Sequence, residues 1–248
     1  MHIDVVELEQ FYKSRLGLLV QRSLRARVRQ LWPSVARDAV LGIGFPNPIM
    51  ARYAKEAMRA VIAQPAGQGA DWWQAGGGNA TALVFEDELP FADLSFDRII
   101  ALHLLENTDN LGSTLEEIWR VLAPEGRFIA IIPNRRSFWA RLDRTPFGHG
   151  RPFSRTQITS ALNQYGFQAE RHVQALFYPP SRARLMLRIA EPWEKIQSGM
   201  IGQMGGVHVI EAVKRVERLV PSKGLRMRVR LPRARPALQP ALAPSSKV

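Results

Sequence analysis

His103 and Glu106 stand three residues apart, directly after the apolar run Phe96–Leu102. An imidazole titrates near neutral pH, so His103 at the end of such a run could take a proton from a substrate hydroxyl, with Glu106 beside it. The plainer reading packs His103 at the sheet edge and uses Glu106 to cap a turn. His149 lies in Pro146-Phe-Gly-His-Gly-Arg-Pro-Phe153, whose glycines and rings suit a lid over a site as well as an ordinary Gly/Pro connection. The five histidines show neither His-x-x-x-His nor His-Glu-x-x-His spacing, so no metal site is indicated. Gly76-Gly-Gly-Asn79 lacks the Gly-Lys-Ser/Thr of a phosphate loop and reads as a flexible connection; Trp72-Trp73 before it reads as core rather than an exposed patch. A sequence without cysteine excludes thiol nucleophiles, disulfides and Cys-ligated metals, and it fits a reducing compartment.

The elements that must carry these groups follow from hydrophobic spacing. Apolar residues from Val5 to Leu31 recur at three- and four-residue steps and predict one helix over residues 4–31, its other face bearing Lys13, Arg15, Arg22, Arg25, Arg27 and Arg29. Short apolar runs then alternate with helical stretches: Ala39–Gly44, a helix over Ile49–Ala60, Ala60–Ala63, Ala82–Phe85, Phe96–Leu102, a helix over Thr114–Leu122, and Gly126–Ile132. Strands apolar on both faces and separated by helices predict a parallel sheet covered on both sides, an α/β fold. Beyond it, Arg155–Gly166 reads as helix, Gln168–Leu176 as extended, and Gly206–Lys214 as a final strand, with helix an alternative from Ile210 onward.

The chain has 248 residues, enough for one large domain, and a formal charge of +12. Residues 221–248 hold seven Lys/Arg and no acid, leaving 27 basic against 22 acidic residues, or +5, for residues 1–220. That tail, with prolines at 232, 236, 240 and 244, cannot bury enough apolar surface to offset its ordering entropy and is expected to be disordered. The expected organisation is an N-terminal helical extension at 1–37, one domain at 38–220 and the basic tail at 221–248. No apolar run reaches the roughly 18 residues of a spanning helix and the first residues lack a secretory pattern, so a cytoplasmic protein is expected.

The stretch Leu89-Pro-Phe-Ala-Asp-Leu-Ser-Phe-Asp97, then Leu104-Leu-Glu-Asn107, then Leu115–Phe128 with its Arg120-Val-Leu-Ala-Pro-Glu-Gly126, then Ile131-Ile-Pro-Asn134, resembles the second half of a class I S-adenosylmethionine-dependent methyltransferase. It is most similar to the methyltransferase type 11 group, and Pro152–Gln157 through Tyr165-Gly-Phe167 extends the likeness, which spans roughly residues 38–214. The resemblance implies a three-layer, Rossmann-like fold: a seven-stranded, mostly parallel sheet with one antiparallel strand. Its cofactor would be S-adenosylmethionine, lying across the carboxyl ends of the first, second and fourth strands, where open α/β sheets bind ligands. Carried over by position, the cofactor contacts would fall on Gly42, Gly44, Phe45, Gln64, Glu86, Asp87 and His103, and the catalytic candidates are His103, Glu106 and His149.

The chain departs from that pattern at the cofactor itself. Gly42 stands where the group has an acid, Gly44 keeps one glycine, and Pro46 and Pro48 replace two others, fixing φ and removing two N–H donors. Gln64 or its neighbours stand in place of the ribose-binding carboxylate, with Glu56 and Asp71 too far along the chain to substitute without an unusual loop, and Phe85 replaces the adenine-contacting acid, for which Glu86 or Asp87 could stand in after a small register shift. Two lost charged contacts at about 1.5–3 kcal/mol each weaken binding by two to four powers of ten. The leading expectation is methyl transfer to a small-molecule or lipid-like acceptor. The alternative is a catalytically inactive, methyltransferase-like binding or regulatory protein. The basic helix and tail add a third, a weak contact with polyanions or acidic membranes.

Overall fold

The computed structural model describes residues 3–75, 78–180 and 205–215. The predicted tail at 221–248 lies outside the described residues. The chain opens with helices α1 (Val5–Lys13) and α2 (Arg15–Leu31), then runs β1 (Ala39–Gly44), α3 (Asn47–Glu56) and β2 (Arg59–Pro65). A hairpin of β3 (Gln74–Ala75) and β4 (Gly78–Asn79) leads to β5 (Thr81–Val84). β6 (Phe96–Leu102), α4 (Leu111–Val121), β7 (Leu122–Pro133), α5 (Arg155–Gln164), β8 (Phe167–Ala175) and β9 (Val207–Lys214) complete it.

Seven strands form one sheet in the order β5-β2-β1-β6-β7-β9-β8, and only β9 runs antiparallel to its neighbours. Alternate residues of each central strand enter opposite cores, as the pleat requires. Val40, Ile62, Ile100, Ile129 and Val209 face a layer built by α1, α2 and α3, while Leu41, Ile99, Phe128, Ala130 and Ala212 face α4 and α5. Both faces are therefore dry, which explains strands that are apolar throughout.

The single helix expected over residues 4–31 breaks at Ser14. Its extended backbone (φ −71°, ψ 161°) ends α1, and its hydroxyl caps α2 by accepting from the Gly17 N–H at 3.0 Å. The two helices meet so closely that a Cβ at Gly17 would run into the Phe11 carbonyl. Periodicity continues across the corner because both helices bury the same kind of face, so spacing alone does not reveal the break. The helix expected at Ile49–Ala60 instead begins at Asn47, with Pro46 as its cap and Pro48 in its first turn, and ends at Glu56. Prolines are tolerated there because first-turn N–H groups have no helical partner. Of the tryptophan pair, Trp73 is core and Trp72 is exposed. The turn expected to be flexible holds the β3–β4 hairpin, with residues 76–77 outside those described.

Candidate active site

The chain adds β2 and β5 on one side of β1 and β6 and β7 on the other, so strand order reverses between β1 and β6. Ligand sites of open α/β sheets form at the carboxyl ends of strands flanking such a reversal. Gly44 ends β1 with φ +87°, and a Cβ there would meet the Leu102 carbonyl on β6; the Phe45 N–H then donates to that same carbonyl at 2.8 Å. This close crossing needs glycine.

His103 follows β6 with φ +55°, a left-handed conformation costly for a non-glycine residue. Its ring is fully buried, with Nδ1 3.3 Å from Glu106 Oε1 and Nε2 2.9 Å from the Tyr12 hydroxyl. A carboxylate only accepts, so Nδ1 carries the proton toward Glu106 and the Tyr12 hydroxyl donates to Nε2. Burial first, then the nearby Glu106 carboxyl and the Tyr178 phenol, pushes the Tyr12 phenol well above its ordinary range, which keeps it protonated for that role. The Tyr12 ring stacks on Phe45 at 5.7 Å, and Phe147 packs against His103 at 4.7 Å. Thus His103 and Glu106 are neighbours, but both ring nitrogens of His103 are engaged. His149 stands apart: it is exposed, and its Nε2 lies 3.0 Å from the Asp143 carbonyl oxygen.

Of the other residues assigned to the cofactor, Gly42 and Gln64 are occupied inside the chain. Gly42 lies in the middle of β1 with Pro46 folded over it, since a Cβ there would strike Pro46 and Met50. Gln64 is fully buried at the end of β2; its Oε1 accepts from the Asp71 N–H at 2.6 Å and its Nε2 donates to Asn47 Oδ1 at 3.5 Å. Asn47 in turn lies 3.5 Å from Asp71 Oδ2. The loop after β2 therefore folds back and brings Asp71 near that strand's end, the loop that a substitution by Asp71 requires. Glu86 and Asp87 sit in a turn beyond β5, the edge strand, with Asp87 exposed.

Tyr12, Gln68 and Asp71 are the site residues that sequence reasoning missed. Tyr12 was indistinguishable from the apolar stripe of its helix. Gln68 and Asp71 carry no spacing signal, since only the fold of their loop brings them to the sheet. A cavity of about 540 Å³ opens beside this centre, between the α1–α2 corner and the 143–149 loop, with Gln10, Phe11, Arg15, Arg144, Pro146 and His149 among its walls. Among the described residues no group of three or more His, Asp or Glu side chains could hold a metal, and no helix is long and apolar enough to cross a membrane. The cations of the N-terminal helices are partly committed inside the chain: Arg25 Nε donates to the Pro48 carbonyl at 2.5 Å, and Arg29 pairs with Glu56 at 2.9 Å.

Residues 43–130 match the family model described as methyltransferase domain. Among curated proteins, a ubiquinone/menaquinone biosynthesis C-methyltransferase from Desulfotalea psychrophila is 41% identical over 66 residues, 27% of this chain and 23% of that one. The chain matches only about a quarter to a third of the length of its curated relatives. Among solved structures, an S-adenosylmethionine-dependent methyltransferase, possible histamine N-methyltransferase, from Thermotoga maritima superposes with a TM-score of 0.61 at 18% identity, over 85% of this chain and 96% of that one. A 1,6-didemethyltoxoflavin-N1-methyltransferase from Burkholderia thailandensis, solved with 1,6-didemethyltoxoflavin and S-adenosylhomocysteine, gives 0.50 at 15%, over 79% and 78%. The chain has the fold of the class I methyltransferases, and its segment 43–130 matches the methyltransferase-domain model.

S-adenosylmethionine is the cofactor of that class. With α1 seated as described, it does not fit: Tyr12, Phe45 and Pro46 occupy the space above β1, and Gln64 offers no charge to a ribose. The polar groups at the ends of β2 and β6, Asp71 beside Gln64 and Glu106 beside His103, are nevertheless of the kind a nucleoside would use.

Proposed function

We propose that this chain methylates a small, partly apolar acceptor that enters the cavity between the α1–α2 corner and the 143–149 loop. The observation that carries the reading is the position of that cavity on a class I methyltransferase sheet. Phe11 in its wall packs on Tyr12 and Phe147, the two rings that enclose His103. Its walls set the apolar Ile3, Phe11, Leu16 and Pro146 beside charges of both signs, Arg15 and Arg144 with Glu7 and Asp143, which suits a metabolite of mixed character. Methyl transfer needs alignment of donor and nucleophile in a dry site more than a fixed set of catalytic groups. His103 and Glu106 remain the candidates for a base, and they become available only when Tyr12 leaves Nε2.

A second reading, a binding or regulatory protein without methyl transfer, is favoured by the fully engaged Gln64 and the filled space over β1. Calorimetric titration of the full chain with S-adenosylmethionine and S-adenosylhomocysteine separates the two. Micromolar binding supports the enzyme, and dissociation constants above millimolar support the binding protein.

A further inference from the structure

We propose that α1 is an autoinhibitory plug, held in the nucleoside crevice by Tyr12 and released when a nucleoside ligand takes its place; this rests on the methyltransferase reading above. The plug is short, only the nine residues Val5–Lys13, and a helix of that length is marginal without packing. It is fixed at both ends. At the first, the Val5 N–H donates to the Gln68 carbonyl at 2.8 Å; at the last, the Tyr12 hydroxyl donates to His103 and its ring lies on Phe45. Its outward side, with Val6, Glu7, Gln10 and Lys13, faces solvent. The joint to α2 is the single extended residue Ser14; displacing α1 about it opens the acceptor cavity on the side of Glu7, Gln10 and Phe11 and leaves its Arg15, Leu16 and 143–149 walls in place.

What lies beneath α1 distinguishes a plug from ordinary core. A permanent core is apolar or has its polar groups satisfied. Here the buried Gln68 has neither side-chain atom partnered, Glu106 Oε2 has no partner, and His103 holds a left-handed backbone. Gln68 follows β2 and meets the first end of α1 at Val5, while Glu106 follows β6 near Tyr12 at the other end. A closed state that leaves such groups unmet is opposed by their desolvation, so closure is an equilibrium that a ligand bearing hydroxyl and amino groups can shift. The apparent affinity of that ligand is reduced by the fraction of chain in which α1 is displaced.

The test uses the full chain, titrated calorimetrically with S-adenosylhomocysteine, and hydrogen exchange of the α1 amides with and without it. Tyr12→Ala removes the stack and the hydroxyl. Val5→Pro removes the donor to Gln68 at a first-turn position where proline keeps the helix. The expected result is binding at least about tenfold tighter in Tyr12→Ala, tighter binding in Val5→Pro, and faster α1 exchange in the unmodified chain when ligand is added. If Tyr12→Ala does not fold, Val5→Pro decides. Equal binding by all three chains with unchanged α1 exchange overturns the plug and leaves the methyltransferase reading intact. No binding by any chain, with α1 exchange already fast in the variants, overturns both.

Discussion

Glu211→Gln should cost this fold about 3–5 kcal/mol, and the reasoning can be followed atom by atom. Glu211 sits on β9 with its side chain fully buried. It accepts from Trp32 Nε1 at 2.8 Å, from Arg127 Nη1 at 3.0 Å and from Arg171 Nε, so one carboxylate ties the end of α2 to β7, β8 and β9. Arg171 also donates to the Leu31 carbonyl at 2.5 Å, which strengthens the same joint. Burial pushes the Glu211 carboxyl up, but the donors from Arg171, Trp32 and Arg127 outweigh it and hold it below the ordinary range. Glutamine keeps the volume, loses the charge and retains one accepting oxygen. Hydrogen bonds to a charged group are worth about 1.5–3 kcal/mol each, and breaking a buried ion pair from one side about 3–5 kcal/mol. Arg127 keeps its contact with Glu170 at 3.2 Å, which holds the estimate to that range. The assay is urea unfolding at pH 7, read from the midpoint at constant slope. A loss under about 1 kcal/mol would refute the argument that this carboxylate anchors α2. Because the folded carboxyl is depressed, its stabilisation is present above the ordinary carboxyl range and is lost as pH falls through the lower folded value; the variant should lack that part of the acid limb.

His172 and His208 give the opposite test. Their rings meet at 2.9 Å from Nε2 to Nδ1, and both are pushed down to about 4: His172 by burial and Arg155, His208 by burial, His172 and Arg155. Both stay neutral when folded, while the unfolded chain takes up protons below about pH 6.5. Stability should therefore fall by about 1–3 kcal/mol between pH 6.5 and 4, discounted for the partly exposed His172, and His208→Asn should flatten that slope in urea midpoints taken at several pH values. Lys214→Met should destabilise by about 2–3 kcal/mol. The fully buried Lys214 Nζ donates to the Trp119 and Leu122 carbonyls at 2.7 Å each, at the end of α4, and methionine leaves both unmet. Thermal melts would show it, and an unchanged midpoint would count against the capping role.

The fold was legible because each strand states its own burial. Ile99–Leu102 and Phe128–Ile132 are apolar throughout, which only a sheet covered on both faces can use, and the helix between them imposes parallel strands. Periodicity likewise marked the final strand, where every residue of β9 is buried. The same logic failed at Ser14, because a corner that preserves the apolar stripe leaves no trace in spacing. It also failed at Tyr12, whose ring counts as core while its hydroxyl meets His103 Nε2.

Local pattern thus determined the alternation of strands and helices, while the family resemblance implied where the cofactor would lie and that an acid is missing at Gln64. Contact between residues far apart in sequence decided the rest: Tyr12 reaching across 91 positions to His103, Val5 tethered to Gln68, and the Asp71 backbone returned to Gln64. Apolar periodicity reports burial, which is a local demand. Which polar atoms meet inside depends on how loops close over the sheet, and chain spacing carries no record of that.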